Sequence, residues 1–268
     1  MYSVWKIVEP YTLKNTSFKL SGYSVSAIRT GFKVDGLNMA LDLGLPYYFK
    51  PKIILITHGH NDHYYEIGHD IDSESIILCP YQIKDDLVNF LTIVRKLNGY
   101  EQVNINNIIG LLPKQTYNYN NYIIETFECY HSIPTIGYGI CQKVNKLKEE
   151  YKNLTKQEII QLKKNNEIIT EEKYNKLFCY LCDTNINIFS DVSIFSYRTI
   201  MIECTFIDQE HENRALERDH IHWSQIKPYV EKYVNIEFIL FHFSNIYEPE
   251  YIKNFFNKES LKNIKVWI

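Results

Sequence analysis

The chain has 268 residues, 45% of them hydrophobic, and a net charge of −3 with nine histidines set aside. That is enough apolar material for one substantial core in a single domain of residues 1–268, and the mild acidity gives no global signal for nucleic acid while leaving room for a local basic surface. No apolar run is long enough to span a membrane, and six cysteines, several inside apolar runs, read as buried free thiols rather than a secreted disulfide framework.

The first elements read as short strands: SVWKIV at 3–8, YSVSAI at 23–28 and NMALDLG at 38–44, broken by Gly and Asp. KIILITH at 52–58 is a nearly continuous apolar run, as in a strand buried on both faces. SIILCP at 75–80 is the next such strand. Pro80 ends it, and residues 81–97 carry apolar residues at helical spacing until Asn98 and Gly99 stop them. YIIETFECYH at 122–131 and TIGYGICQKV at 135–144 form a further pair. The segment 143–177 is polar and lysine-rich, and Thr155 with Glu158 predicts a capping box at the start of a helix. FCYLCD at 178–183, TIMIECT at 199–205 and IEFILFHF at 236–243 return to strand character, and a helix around 248–257 and a closing strand KVWI end the chain.

Several of these strands deliver His, Asp or Glu at or just past their C-terminal ends, where α/β architectures tend to place sites. The densest case is His58-Gly-His60-Asn-Asp62-His63. In extended chain His58 and His60 share a side, and a turn into helix would free His63 to join Asp62, so one loop offers two ligand pairs. Imidazole and carboxylate suit Zn²⁺, with Mn²⁺ or Fe²⁺ as alternatives. His131, Asp183 and His242 are the candidates to complete two sites, and an aspartate can bridge cations where a histidine cannot. His69, His211 and His222 have no assigned role. Cys179 and Cys182 have C-x-x-C spacing, but on one strand their odd separation puts them on opposite faces, poor for chelation.

The order of H-x-H-x-D-H, a lone histidine, a strand-end aspartate and a last histidine resembles the metallo-β-lactamase superfamily, and within it the ribonuclease Z family of tRNA 3′-processing endonucleases. HSIPTIGYGI, LCDTN, IECTF, DHIHWSQI and LFHFSNIY each resemble a segment of that family, and the lysine-rich stretch resembles the short form known from plants; the resemblance runs from about residue 20 to 250. Four departures stand out: Asn61 replaces a residue that is often Gly, Cys182 replaces Gly, Ile202 replaces His, and Ile246 replaces an Arg able to contact phosphate.

The resemblance implies an αβ/βα sandwich with two mixed sheets packed face to face and helices outside. It implies a homodimeric enzyme that removes the 3′ trailer from precursor tRNA with two Zn²⁺ per subunit, Mn²⁺ being the alternative. His58, His60 and His131 would hold one ion; Asp62, His63 and His242 the other; Asp183 would bridge them. Asp62 would orient the attacking water, and Glu203 with His220 would serve the leaving 3′ oxygen. Ser244, in the terminal segment, and Lys143, Lys146, Lys148, Lys152, Lys156, Lys163 and Lys164, in a helical insertion at about 143–177, would contact RNA. The expected location is intracellular, the cytoplasm first, with nuclear or viral settings left open. Another hydrolase on the same fold, a small-molecule phosphodiesterase or a thioesterase, is the alternative reading, and Glu203, His220 and the insertion weigh against it.

Overall fold

A computed structural model describes residue 5 and residues 8–69 and 71–268. Two seven-stranded sheets face each other. The first contains β1 (Tyr11–Thr12), β2 (Lys19–Val25), β3 (Arg29–Asp35), β4 (Met39–Leu43), β5 (Ile53–Leu55), β6 (Ile76–Pro80) and β7 (Ile108–Leu111), in that spatial order. The second runs from β8 (Thr116–Tyr119) through β9 (Tyr122–Cys129), β10 (Thr135–Leu147), β11 (Thr170–Leu181), β12 (Thr199–Glu203) and β13 (Glu237–Phe241) to β14 (Ile264–Val266). Each sheet is antiparallel on one side and parallel on the other. The strand expected at 3–8 lies mostly outside the described residues.

The apolar runs sort by a period of two, as the pleat requires. Tyr180, Cys182, Met201, Ile239 and Phe241 point into the layer between the sheets, while Cys179, Leu181, Ile200, Ile202, Phe238 and Leu240 point outward. Cys179 and Cys182 therefore sit in different layers. Between the sheets Phe32 meets Tyr180, Phe241 and Trp267 edge-on, with ring centroids 6.0, 5.3 and 5.5 Å away. Such pairs add to the burial of aromatic surface.

The outer faces are closed by helices. Leu87 and Leu91 of α2 (Lys84–Leu97) pack with Ile54, Ile77 and Ile108 of the first sheet. The helix starts three residues later than the periodicity predicts, because Tyr81–Ile83 form a 3-10 turn after Pro80. Trp223, Ile226 and Val230 of α5 (Trp223–Lys232), with Ile252 and Phe256 of α6 (Pro249–Asn257), cover the second sheet. Further helices are α1 (Asn61–Tyr64), α3 (Lys156–Lys164) and α4 (Glu212–Glu217). The architecture is the metallo-β-lactamase αβ/βα sandwich.

The 143–177 insertion differs from the helical element expected. Strands β10 and β11 continue past the sheet as a ribbon paired from Lys143↔Tyr174 to Leu147↔Thr170, and only the tip carries α3, with the Thr155/Glu158 capping box present. Its backbone groups are satisfied by cross-strand pairing, so the polar stem needs no apolar face.

Phe32 is fully buried at the point where the two sheets meet. Phe32→Ala is expected to destabilise the fold by about 3–5 kcal/mol, read from urea unfolding. A loss below about 1 kcal/mol would show that the inter-sheet layer does not hold the sandwich together.

Candidate metal centre

Six strand ends converge on one end of the sandwich: the residues after β4, β5, β9, β11, β12 and β13. Past β5 the chain bends at Gly59, and His60, in extended conformation, precedes α1. That single turn swings Asp62 and His63 into place, the change of direction on which the two-pair reading of the motif depends. Gly44, just past β4, is required by close approach: a Cβ there would lie 1.6 Å from the Asp62 carbonyl oxygen.

His58, His60, His131 and Asp183 form one group of potential ligands, and Asp62, His63 and His242 another. In the first, His58 Nε2 and His131 Nε2 lie 3.1 and 3.2 Å from His60 Nδ1. Asp183 Oδ2 is 3.6 Å from His58 Nε2 and 3.8 Å from His131 Nε2. In the second, His63 Nε2 lies 3.3 Å and His242 Nε2 3.8 Å from Asp62 Oδ2. Asp183 Oδ1 faces the same two nitrogens at 3.6 and 3.2 Å. The two oxygens of one carboxylate thus look into two different clusters.

The outer nitrogens are already engaged, which fixes the tautomers. His58 Nδ1 donates to Thr57 Oγ1 at 2.9 Å, and the Thr57 hydroxyl donates to Asp42. His63 Nδ1 donates to Asp42 Oδ2 at 2.9 Å, His131 Nδ1 to the Asp219 carbonyl at 3.2 Å, and His242 Nδ1 to Thr205 Oγ1 at 3.2 Å. Each of these rings therefore turns a lone pair at Nε2 toward the centre. His58, His60 and His131 present three nitrogens to one another where one proton cannot satisfy them all. His63 Nε2 and His242 Nε2 are buried with no hydrogen-bond partner among the described residues. Orphaned buried nitrogens of this kind are rare and costly, and lone pairs aimed at a common point beside carboxylates fit a divalent cation.

No family model matches the chain. Two curated proteins of Arabidopsis thaliana do. tRNase Z TRZ2, chloroplastic, is 27% identical over 251 residues, covering 88% of this chain and 70% of that protein. tRNase Z TRZ1 is 25% identical over 251 residues, covering 88% and 89%. Among solved structures the human tRNase Z short form, ELAC1, superposes with a TM-score of 0.59 at 15% identity, over 85% of this chain and 93% of that one. Over 88% of its length the chain is thus similar to tRNase Z proteins, and it shares its fold with the human short form.

Asp42 is the residue the motif reading missed. Fully buried, it accepts from the Thr57 backbone N–H, the Thr57 hydroxyl, His63 Nδ1 and the Tyr180 hydroxyl. Its signal in the sequence was an acid inside the apolar run NMALDLG, a placement that a core tolerates only with partners. Asp42, Asp183 and His242 all adopt left-handed backbone, with φ of 52°, 46° and 62°. Such conformations cost free energy and mark places where the surroundings dictate the geometry.

Burial opposes ionisation of Asp183, but His242, His63 and His58 outweigh it and hold its pKa well below the ordinary carboxylate range. Asp62 behaves alike: burial raises its pKa, and the neighbouring His242 and His63 rings drive it further down.

Glu203 and His220 separate in role. Glu203 is fully buried and accepts from Thr184 N, Ile221 N, Thr205 Oγ1 and His220 Nδ1, the last at 2.8 Å. Buried in this way it is out of reach of solvent, and its contact toward the centre is with His220. The His220 ring lies 5.1 Å from His131 and 5.6 Å from His242 by centroid, with the side chain 14% exposed. Burial lowers the His220 pKa, the Glu203 carboxylate more than compensates, and the result is about 9.

The lysines are not brought to this centre. β10 is 13 residues long and so spans about 40 Å, carrying Lys146, Lys148, Lys152, Lys156, Lys163 and Lys164 away from it. Lys143 bonds Asn118 Oδ1 at 2.8 Å, and Lys152 pairs with Glu149. Ser244 is buried, its N–H donating to the Thr205 carbonyl, and Ile246 stands exposed two residues on. His222 caps α5 and His69 pairs with Glu66.

Asp183→Ala removes the oxygens that both clusters share. Metal content measured by mass spectrometry after gel filtration is expected to fall by at least one ion per chain with the far-UV spectrum unchanged; unaltered stoichiometry would remove the bridging role.

Proposed function

We propose that the chain is a metal-dependent endoribonuclease that cuts the 3′ trailer from precursor tRNA, working with two Zn²⁺ per subunit, or Mn²⁺, as a homodimer. The observation that carries this reading is the carboxylate of Asp183 shared between two imidazole clusters, in a chain whose likeness to tRNase Z proteins runs over 88% of its length.

Phosphodiester hydrolysis needs accelerations worth about 20 kcal/mol or more, whereas one general acid or base supplies roughly 10²–10⁴-fold. Side-chain acid–base chemistry alone falls short. His58, His60 and His131, and Asp62, His63 and His242, together with Asp183, would hold divalent cations, which would supply Lewis acidity toward the scissile phosphate and lower the pKa of water. Asp62, whose carboxylate is ionised and 15% exposed, accepts a proton from the attacking water and orients it toward phosphorus. His220, kept protonated by Glu203 behind it, donates to the leaving 3′ oxygen at the rim. The hairpin with its lysines holds tRNA away from the bond being cut, one subunit's arm serving the other's site. Six free buried cysteines suit a reducing, intracellular setting.

Ile246 favours a second reading, a phosphodiesterase of small substrates, since an exposed isoleucine at the rim offers no phosphate contact. A 3′-extended precursor tRNA separates the two. With zinc- or manganese-loaded protein, one cut after the discriminator base is expected, abolished by chelator and reduced at least 10³-fold in Asp62→Ala. Hydrolysis of bis(p-nitrophenyl) phosphate without tRNA cleavage would select the second reading.

Removing the arm beyond Lys143/Tyr174 is expected to raise KM for precursor tRNA several-fold and to flatten its dependence on log salt, with kcat for bis(p-nitrophenyl) phosphate unchanged. An unaltered salt slope would make the hairpin a surface feature only.

A further inference from the structure

Cys182 stands immediately before Asp183 and replaces the glycine that the tRNase Z resemblance leads one to expect. Its side chain shares a face of β11 with Tyr180, and both point into the layer between the sheets, beneath the second cluster. Its thiol is buried and donates to Asp183 Oδ1 at 3.1 Å. The same sulfur lies 3.8 Å from His63 Nδ1, the nitrogen that donates to Asp42. Asp183 Oδ1 is the oxygen that faces His63 Nε2 and His242 Nε2, the two buried nitrogens without a hydrogen-bond partner among the described residues.

We infer that Cys182 is a positioning residue of the second cluster: its S–H orients Asp183 so that Oδ1 is presented to the Asp62/His63/His242 site while Oδ2 stays with His58 and His131. The sulfur is not itself a ligand. It meets His63 on the Nδ1 side, whereas the ring's free lone pair is at Nε2 on the opposite edge. Asp42, which with His63 and Cys182 forms a cluster of potential ligands, has its oxygens committed to Thr57, Tyr180 and His63. A glycine at 182 would leave Asp183 without this donor. The carboxylate sits on a left-handed backbone that the strand itself does not favour. A side-chain anchor there restricts χ rotation, as outer partners of metal ligands do elsewhere, where their loss typically costs 10–100-fold in metal affinity.

This inference rests on the two-cluster reading of the centre and is tested by metal binding rather than by turnover. Full-length wild type, Cys182→Ala, Cys182→Ser and Cys182→Gly are titrated with zinc against a competing chelator, and loaded with Co²⁺ for visible spectroscopy. In wild type two binding events are expected. In Cys182→Ala and Cys182→Gly the weaker event should lose 10–100-fold in affinity while the tighter one is unchanged, and Cys182→Ser, which retains a donor, should restore most of it. The wild-type Co²⁺ spectrum should lack the intense near-ultraviolet band of a thiolate ligand. Equal affinity for both ions in Cys182→Ala, or a thiolate band in wild type, would overturn the positioning role. Wild type that binds fewer than two ions would instead overturn the two-cluster reading on which it stands. Melting temperatures of the four proteins separate a folding defect from a local one, since Cys182→Ser preserves volume closely enough to fold where Ala leaves a cavity.

Discussion

A carboxylate enclosed by imidazoles is the constraint around which this molecule is arranged. Asp183 is 3% exposed, and His58, His131, His63 and His242 surround its two oxygens. A buried anion without compensation would cost several kcal/mol. Four rings brought from three separate strand ends surround it with Nε2 lone pairs, an arrangement that leaves the charge for a cation to compensate, and they meet there only if the two sheets hold those ends in register. The chemistry at the end of the sandwich and the packing of its middle are therefore one problem: Tyr180 stacks on Phe241 in the core and also donates to Asp42 beside the centre.

A second layer of hydrogen bonds carries the geometry from the core to the ligands. Asp42 fixes Thr57 and His63 together, and Thr57 fixes His58, so both clusters are oriented through one buried acid. On the other side Glu203 organises Thr205 and His220, and Thr205 in turn accepts from His242. Every outer nitrogen of these rings has a protein partner, which leaves the inner ones as lone pairs. A metal site built this way is set before an ion arrives, and little reorganisation is left for the moment of binding.

The lysine-rich ribbon and the His/Asp centre are physically separated. The centre lies on rigid, doubly buried strands, whereas the lysines ride on a ribbon whose pairing continues the sheet but whose side chains face water. Backbone pairing gives the ribbon stiffness without requiring a core, so its stem of five paired residues on each strand can project about 16 Å beyond the sheet. On the proposed function, charge on such an arm would act by attraction to a phosphate backbone, independent of sequence, and leave the choice of bond to the site.

The residue types of the two clusters and their order were legible in the chain itself, because metal chemistry would demand a narrow set of side chains and strand ends announce themselves by the apolar runs before them. The H-x-H-x-D-H spacing, the strand-end His131, Asp183 and His242, and the opposite-face placement of Cys179 and Cys182 all follow from a period of two and one short turn. Tertiary structure alone decided the rest. Asp42 lies 141 residues before Asp183, and no local pattern tells which buried acid will accept from which imidazole. The stem of the lysine-rich arm became strand because the neighbouring strands offered hydrogen bonds that its own composition does not require. The thiol of Cys182 acquired a partner in Asp183 only because a left-handed turn at the strand end brings the carboxylate back over it. Periodicity and residue chemistry are local and can be read along the chain; the pairing of buried donors with acceptors is set by which strand ends the sandwich brings together.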